Sequence, residues 1–248
     1  MSWLHAVVDV PSDRQADAAT FWGAALGWPV GPGWEDHPEL RSFEPAGGGT
    51  PYVHLQRVDG PPRVHLDVES TSPEETVTRA VDLGATEAAR SDRWTTLHSP
   101  GGLPFCVVAA RQHERPEPVA HADGRRTRLV QVCVDSPSAV HDGEVAFWRE
   151  LLAGRWVSSA APEFAGKWHD DEDSPIQLLF QRLDEPTGPV RAHLDLGTDD
   201  VDAEVRRLVG LGATDVGPGR GWHVLRDPAG LLFCATGNSP GWPRHRDL

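Results

Sequence analysis

Two tracts of the chain set an imidazole two residues from a carboxylate: His65-Leu66-Asp67 and His193-Leu194-Asp195. On an extended strand, residues two apart share one face, so both polar groups of each tract look the same way. Such a pair can pass a proton or donate to an ion, but neighbours on a strand face need not touch, and no dyad follows from spacing alone. Other tracts place polar side chains at the same alternation. His5 and Asp9 alternate with Leu4, Ala6, Val8 and Val10; His54 and Gln56 with Val53 and Leu55; Cys106 sits between Phe105 and Val107. The second half offers Gln131, Cys133, Asp135, Gln181 and Cys234. Trp94 and Trp222 fit either a pocket wall or the cap of a core, and both readings stay open.

These residues also fit structural roles. A histidine or aspartate on a strand face often serves as a buried hydrogen-bonding group, and a free cysteine beside phenylalanine is commonly a small core residue, the reading preferred for Cys106 and Cys234. His5 has no counterpart in the second half, where Gln131 stands. No nucleophile triad is visible. The run Gly47-Gly48-Gly49 lacks the Lys-Ser/Thr that a phosphate cradle needs.

The elements that must carry these side chains repeat along the chain. Val8, Asp9, Pro11, Ser12, Phe21-Trp22 and Leu26 recur in order as Val134, Asp135, Pro137, Ser138, Phe147-Trp148 and Leu152. Leu83-Gly84-Ala85-Thr86 matches Leu211-Gly212-Ala213-Thr214, and Phe105-Cys106 matches Phe233-Cys234. An ordered series of this kind marks a duplicated unit. Between the copies, Arg111 to Arg126 is charged and carries Pro116, Pro118 and Gly124, which reads as a linker. The expected division is a first domain over residues 1–110, a linker over 111–126, a second domain over 127–238 and a tail over 239–248.

Within a copy the pattern predicts a strand over Leu4 to Val10, then a helix opening at Ser12 and closing before Gly27. A second strand spans Val64 to Val68. Ser72-Pro73-Glu74-Glu75 reads as a capping box with proline at the first helical position, and Gly84 as the stop. Further strands are expected at Tyr52 to Arg57, Trp94 to Leu97 and Leu103 to Val108. Each copy is thus a strand, a helix and several strands, taken twice.

Composition narrows the function classes. The 248 residues carry a net charge of −14, which repels a phosphate backbone, and only Arg125, Arg126 and Arg128 cluster. Nucleic acid is therefore not an expected partner. No apolar run approaches the length of a membrane helix and no secretory start follows Met1, so a cytoplasmic protein without membrane association is expected. Three cysteines without a CxxC pair exclude a disulfide framework and a thiolate zinc knuckle.

The tracts Phe21 to Gly27, His-Leu-Asp, Leu-Gly-Ala-Thr and Asp227-Pro-x-Gly-x-x-Phe-Cys234 together resemble the vicinal oxygen chelate superfamily, that is, glyoxalases, bleomycin-resistance proteins and extradiol dioxygenases. The likeness covers both copies and is similar in particular to the tandem glyoxalase-like branch of bacterial proteins. It implies an α+β fold of two tandem domains, each built from two βαβββ modules that form an incomplete eight-stranded barrel around a cleft. In metal-dependent members the ligands come from the first, fourth, fifth and eighth strands, usually His, Glu, His and Glu. Carried over residue by residue, this implies His5, Gln56, His65 and Cys106, with no carboxylate among the four; the second copy keeps only His193 of the usual types.

Two functions follow. In the first, a cleft lined by His5, Asp9, His54, Gln56, His65, Asp67, Trp94 and Cys106, and its mate lined by Gln131, Asp135, Gln181, His193, Asp195, Trp222 and Cys234, bind a small organic, aromatic molecule without metal. Ten tryptophans supply stacking surface. In the alternative, His5 and His65 hold a divalent metal in the first domain for a lyase or dioxygenase reaction. Tandem copies supply pairing within one chain, so a monomer is expected.

Overall fold

The computed structural model describes residues 3–169 and 174–241. In the first half, β1 (Leu4–Val10), α1 (Gln15–Leu26), β2 (Val30–Gly33), β3 (Leu40–Phe43) and β4 (Val53–Arg57) form one βαβββ module. The next comprises β5 (Arg63–Ser70), α2 (Pro73–Asp82), β6 (Thr86–Arg90), β7 (Trp94–His98) and β8 (Pro104–Ala109). After β9 (Val119–Ala120), the plan repeats as β10 (Arg126–Pro137), α3 (His141–Leu151), β11 (Arg155–Ser158), β12 (Phe164–His169) and β13 (Gln177–Leu183). The last module is β14 (Arg191–Thr198), α4 (Val201–Gly210), β15 (Thr214–Pro218), β16 (Trp222–Arg226) and β17 (Leu232–Thr236).

The described residues make two open sheets, in the order β2-β3-β4-β1-β5-β8-β7-β6 and β11-β12-β13-β10-β14-β17-β16-β15, with β9 added to β10. Each therefore joins two modules at a central antiparallel pair, β1 with β5 and β10 with β14, flanked by the parallel pairs β4–β1 and β5–β8 and their repeats. This is the expected α+β architecture of four modules. All seven residues of β1 are buried, because one face meets helical side chains and the other floors a cavity.

Helix ends depart from the sequence reading in two places. Residues Pro11 to Arg14 first make a turn, closed by Arg14 N–H to Pro11 O at 3.0 Å, so α1 opens at Gln15 and not at Ser12. Ser72 precedes α2 but caps nothing with its side chain; Ser70 Oγ instead accepts the Ser72 N–H at 3.0 Å and bonds Thr76 Oγ1 at 2.8 Å, drawing the chain away from a capping box. At α4 the cap does form, with Asp200 accepting the Ala203 N–H at 3.0 Å. Gly27, at φ 65°, ends α1 in the left-handed conformation, with Trp28 N–H returning to Gly23 O. The short strands β2, β3 and β6 lie beyond those expected; β6 is exposed at every residue, so it carries no apolar alternation to reveal it.

The two halves share one apolar core. Phe21 and Trp22 of α1 pack edge-on against Phe233 of the second sheet, and Phe147 and Trp148 of α3 pack likewise against Phe105 of the first. Each indole removes on the order of 200 Å² from water, worth about 5 kcal/mol of transfer free energy. Arg207 of α4 donates to Ala24 O and Ala25 O at the end of α1, and Arg79 of α2 reaches Glu150 O near the end of α3, the same contact by the internal symmetry. The start of the segment over residues 111–126 lies on the first domain, where Thr50 and Glu114 exchange bonds and Gly49 lies so close to Pro116 that a Cβ there would approach its Cα to 2.7 Å, whereas Val119–Ala120 pairs with β10 of the second sheet. Of the tail over 239–248, residues 242–248 lie outside the described residues.

Candidate functional site

The central strands of the first sheet bring the polar alternates together. Val7 of β1 lies between His54 of β4 and His65 of β5; His5 faces Asp67, and Asp67 faces Cys106 of β8. Above them is a cavity of about 920 Å³, walled by Trp34 and Trp94. Its floor holds two groups of side chains.

The first group centres on His65. Its Nδ1 lies 3.0 Å from Asp9 Oδ1, whose other oxygen accepts Arg63 Nε–H at 2.8 Å. Its Nε2 is 3.3 Å from Asp67 Oδ1, an ion-pair distance without hydrogen-bond alignment, which leaves that buried oxygen without a hydrogen-bond partner. Burial opposes a charge on His65, but the nearby Asp67 and Asp9 carboxylates and the Cys106 thiol outweigh it and hold the imidazole well above its ordinary pKa. The Cys106 thiol, 3.4 Å from Thr96 Oγ1, is pushed up by burial and is no ready nucleophile.

The second group is a hydrogen-bonded file. Trp34 Nε1–H donates to Ser42 Oγ at 3.2 Å; Ser42 Oγ lies 3.1 Å from His54 Nδ1; His54 Nε2 lies 3.0 Å from His5 Nδ1; and His5 Nε2 lies 3.0 Å from Glu69 Oε1. The other Glu69 oxygen accepts the Arg111 N–H at 3.1 Å and meets His113 Nε2 at 2.7 Å. Burial and the neighbouring His5 drive His54 down to about 3, so it stays neutral. Glu69 goes down despite burial, because His5, His113 and the Arg111 amide all stabilise its charge.

Among the described residues, the second domain repeats the first group and lacks the second. His193 Nδ1 meets Asp135 Oδ2 at 2.6 Å and its Nε2 lies 3.4 Å from Asp195, with Cys234 alongside. Burial opposes its charge, yet Cys133, Asp135 and Asp195 hold it well above the ordinary value. Gln131 replaces His5 and is tied to Asp195 and to Gln177. The cavity here is about 300 Å³. Lys167, the chain's single lysine, lines it and is lowered by burial.

The glyoxalase-like domain model matches residues 5–108 and again residues 131–236. The chain belongs to this glyoxalase-like family. Solved structures with the same fold include the Mn(II)-bound glyoxalase from Novosphingobium aromaticivorans, at TM-score 0.65 and 19% identity over 95% of this chain and 81% of that one. A variant of homoprotocatechuate 2,3-dioxygenase from B. fuscum reaches TM-score 0.64 at 15% identity, over 96% of this chain and 71% of that one. A mutant 4-hydroxymandelate synthase from Streptomyces coelicolor gives 0.60 at 17%, over 98% and 93%. The glyoxalase-like chain shares its fold with these proteins. No curated protein matches it.

In this glyoxalase-like chain the first cavity is lined by His5, His54, Gln56, His65, Asp67, Trp94 and Cys106, and the second by Gln131, Gln181, His193, Asp195, Trp222 and Cys234. Asp9 and Asp135 line neither; they lie behind His65 and His193 and hold those rings. His5, Gln56, His65 and Cys106 all line the first cavity, but the histidines among them have different neighbours. His65 and Cys106 group with Asp67, whereas His5 groups with Glu69 and His113, because the antiparallel register sets His5 opposite Asp67 rather than opposite His65. Carboxylates thus stand beside both histidines, in contrast to the quartet. Groups able to hold a metal ion also occur in the second domain, as Cys133-Asp135-His193 and His193-Asp195-Cys234. Glu69 escaped the sequence reading although it continues the alternation His65, Asp67, Glu69; His113, Trp34 and Ser42 gave no signal, lying in the linker, in the loop after β2 and in the four-residue strand β3.

Proposed function

We propose that the first domain's cleft binds a small organic molecule through an aromatic ring, with polar substituents meeting the histidine and carboxylate floor. The observation that carries this is the cavity of about 920 Å³ with Trp34 and Trp94 in its wall and His54, His65 and Asp67 among its lining. That volume lies in the range of drug-sized ligand sites, whereas the second cavity, at about 300 Å³, sits at its lower end. The floor is already ordered by its own hydrogen bonds, so little is spent on arranging it when a ligand enters.

The alternative, a lyase or dioxygenase reaction on a metal held jointly by His5 and His65, is less well supported, because these histidines belong to separate groups. Binding through the tryptophan walls needs no such ion.

The test is a tryptophan-fluorescence titration of the full chain, in the presence of a chelator, against a panel of substituted phenols, quinones and planar heterocycles. Saturable quenching is expected, with Trp94→Ala weakening it about tenfold, the loss of about 1.4 kcal/mol of ring contact. Absence of saturable binding across the panel, or binding unchanged in both Trp94→Ala and Trp34→Ala, rejects the reading.

A further inference from the structure

The chain that leaves β8 returns over the cleft and sets a third donor beside His5 and Glu69. Arg111 N–H fixes one oxygen of Glu69, and two residues later His113 brings Nε2 to that same oxygen at 2.7 Å, its side chain only 8% exposed and its ring stacked on Trp3 at 4.2 Å. Donor atoms of His5, Glu69 and His113 all lie within 4.8 Å of one another. Two nitrogen or oxygen ligands on a tetrahedral zinc stand about 3.4 Å apart, so these side chains need little movement to share an ion. We infer that His5, Glu69 and His113 form a binding site for one divalent transition-metal ion of the zinc or iron(II) class, set in the wall of the first cleft.

Two features of the surroundings favour an ion over a simple clasp for the linker. Two imidazoles and one carboxylate are the ligand set that leaves coordination positions open for zinc or non-haem iron, and a set poor in oxygen is unsuited to magnesium or calcium. A metal-bound imidazole needs a partner for its other nitrogen. His5 Nδ1 has one in His54 Nε2, and His54 is fixed in turn by Ser42, giving the outer support that orients such ligands. This set shares only His5 with the four positions the family resemblance implied.

The duplication supplies an internal control. In the second domain Gln131 stands for His5 and Gly197 for Glu69, and a Cβ at Gly197 would come within 2.7 Å of Asn238 O, so no side chain fits there. One ion per chain is therefore expected from this set. The inference goes beyond the binding reading and can fail separately, since the aromatic titration is run in chelator and the metal titration without any aromatic compound.

The experiment strips the full chain with a chelator and titrates it with cobalt(II), following visible absorption, and with zinc(II), following bound metal by elemental analysis and the thermal midpoint. Expected are one tightly held ion, ligand-field bands without a thiolate-to-cobalt charge-transfer band, and a rise in thermal midpoint with zinc. Glu69→Gln, which keeps an acceptor for the Arg111 amide, and His113→Gln should each weaken binding at least a hundredfold; Ser42→Ala should weaken it about tenfold, and Cys106→Ser should leave it unchanged. No bound ion, a thiolate band, or loss of the ion in Cys106→Ser with retention in Glu69→Gln overturns the inference. The wild-type cobalt spectrum decides between nitrogen-oxygen and thiolate ligands even where a variant folds poorly.

Discussion

Trp22 donates its indole N–H across the domain join to Asp227, 2.8 Å away. The symmetry-related indole of Trp148 donates instead to Glu144 of its own helix at 2.7 Å, and Glu144 then accepts the Gly101 N–H at 2.9 Å from the first domain. The acid sits on the turn in one link and on the helix in the other, because Ser99 occupies the turn position that Asp227 holds in the second copy. Either way a fully buried indole is satisfied only by a carboxylate bridging the halves, so the two domains are held as one body.

Asp227→Ala should therefore destabilise the whole chain. It orphans the Trp22 indole and also the Leu231 N–H, which Asp227 Oδ1 accepts at 2.8 Å. Two buried donors left unmade cost about 2–4 kcal/mol together. Urea denaturation followed by tryptophan emission and by far-ultraviolet dichroism should show one coincident transition, moved to lower urea. A change under about 0.5 kcal/mol would show that the join does not depend on this link.

Acid should weaken the protein through His54. Its pKa falls from 6.5 to about 3 on folding, so below pH 6.5 the unfolded chain takes up a proton that the folded chain refuses. Stability is thus lost as the pH drops from 6.5 towards 3, by about 3 kcal/mol between pH 6.5 and pH 4. His54→Gln, which can still hydrogen-bond to His5, should flatten this limb of the stability profile. An unchanged slope would mean that other groups govern acid unfolding.

The alkaline limb belongs to His65 and His193. Both are raised on folding, so their contribution is complete below the ordinary histidine range and disappears as the pH rises through their folded values. Asp9→Asn removes the charge that faces His65 Nδ1 and Arg63 together. It should lower the His65 titration midpoint seen by imidazole NMR and cost about 3 kcal/mol at neutral pH, as expected for breaking a buried pair. A His65 midpoint that stays in place would assign its elevation to Asp67 instead.

Much of the architecture was written in local signals. The ordered repeat, the apolar alternation of Leu4 to Val10 and Val64 to Val68, and Gly27 after an amphipathic helix each act through neighbours in the chain, so they lead to four modules and to the faces that His5, His65 and Cys106 occupy. Position on a face is not a contact. The antiparallel register that separates His5 from His65 is set by how β1 meets β5, and the helix starts at α1 and α2 depend on which hydroxyl or carbonyl reaches a free amide first.

The sequence alone thus determined the duplicated α+β fold, the polar strand faces and the kinship with glyoxalase-like proteins, because periodicity and turn residues are short-range properties of the chain. Tertiary structure decided which polar groups meet. Glu69 gains His113 only because the linker folds back over β8's end, and Asp9 acts behind His65 rather than in the cleft because the sheet buries it completely. These are encounters between segments distant in sequence, and no pattern within either segment encodes them.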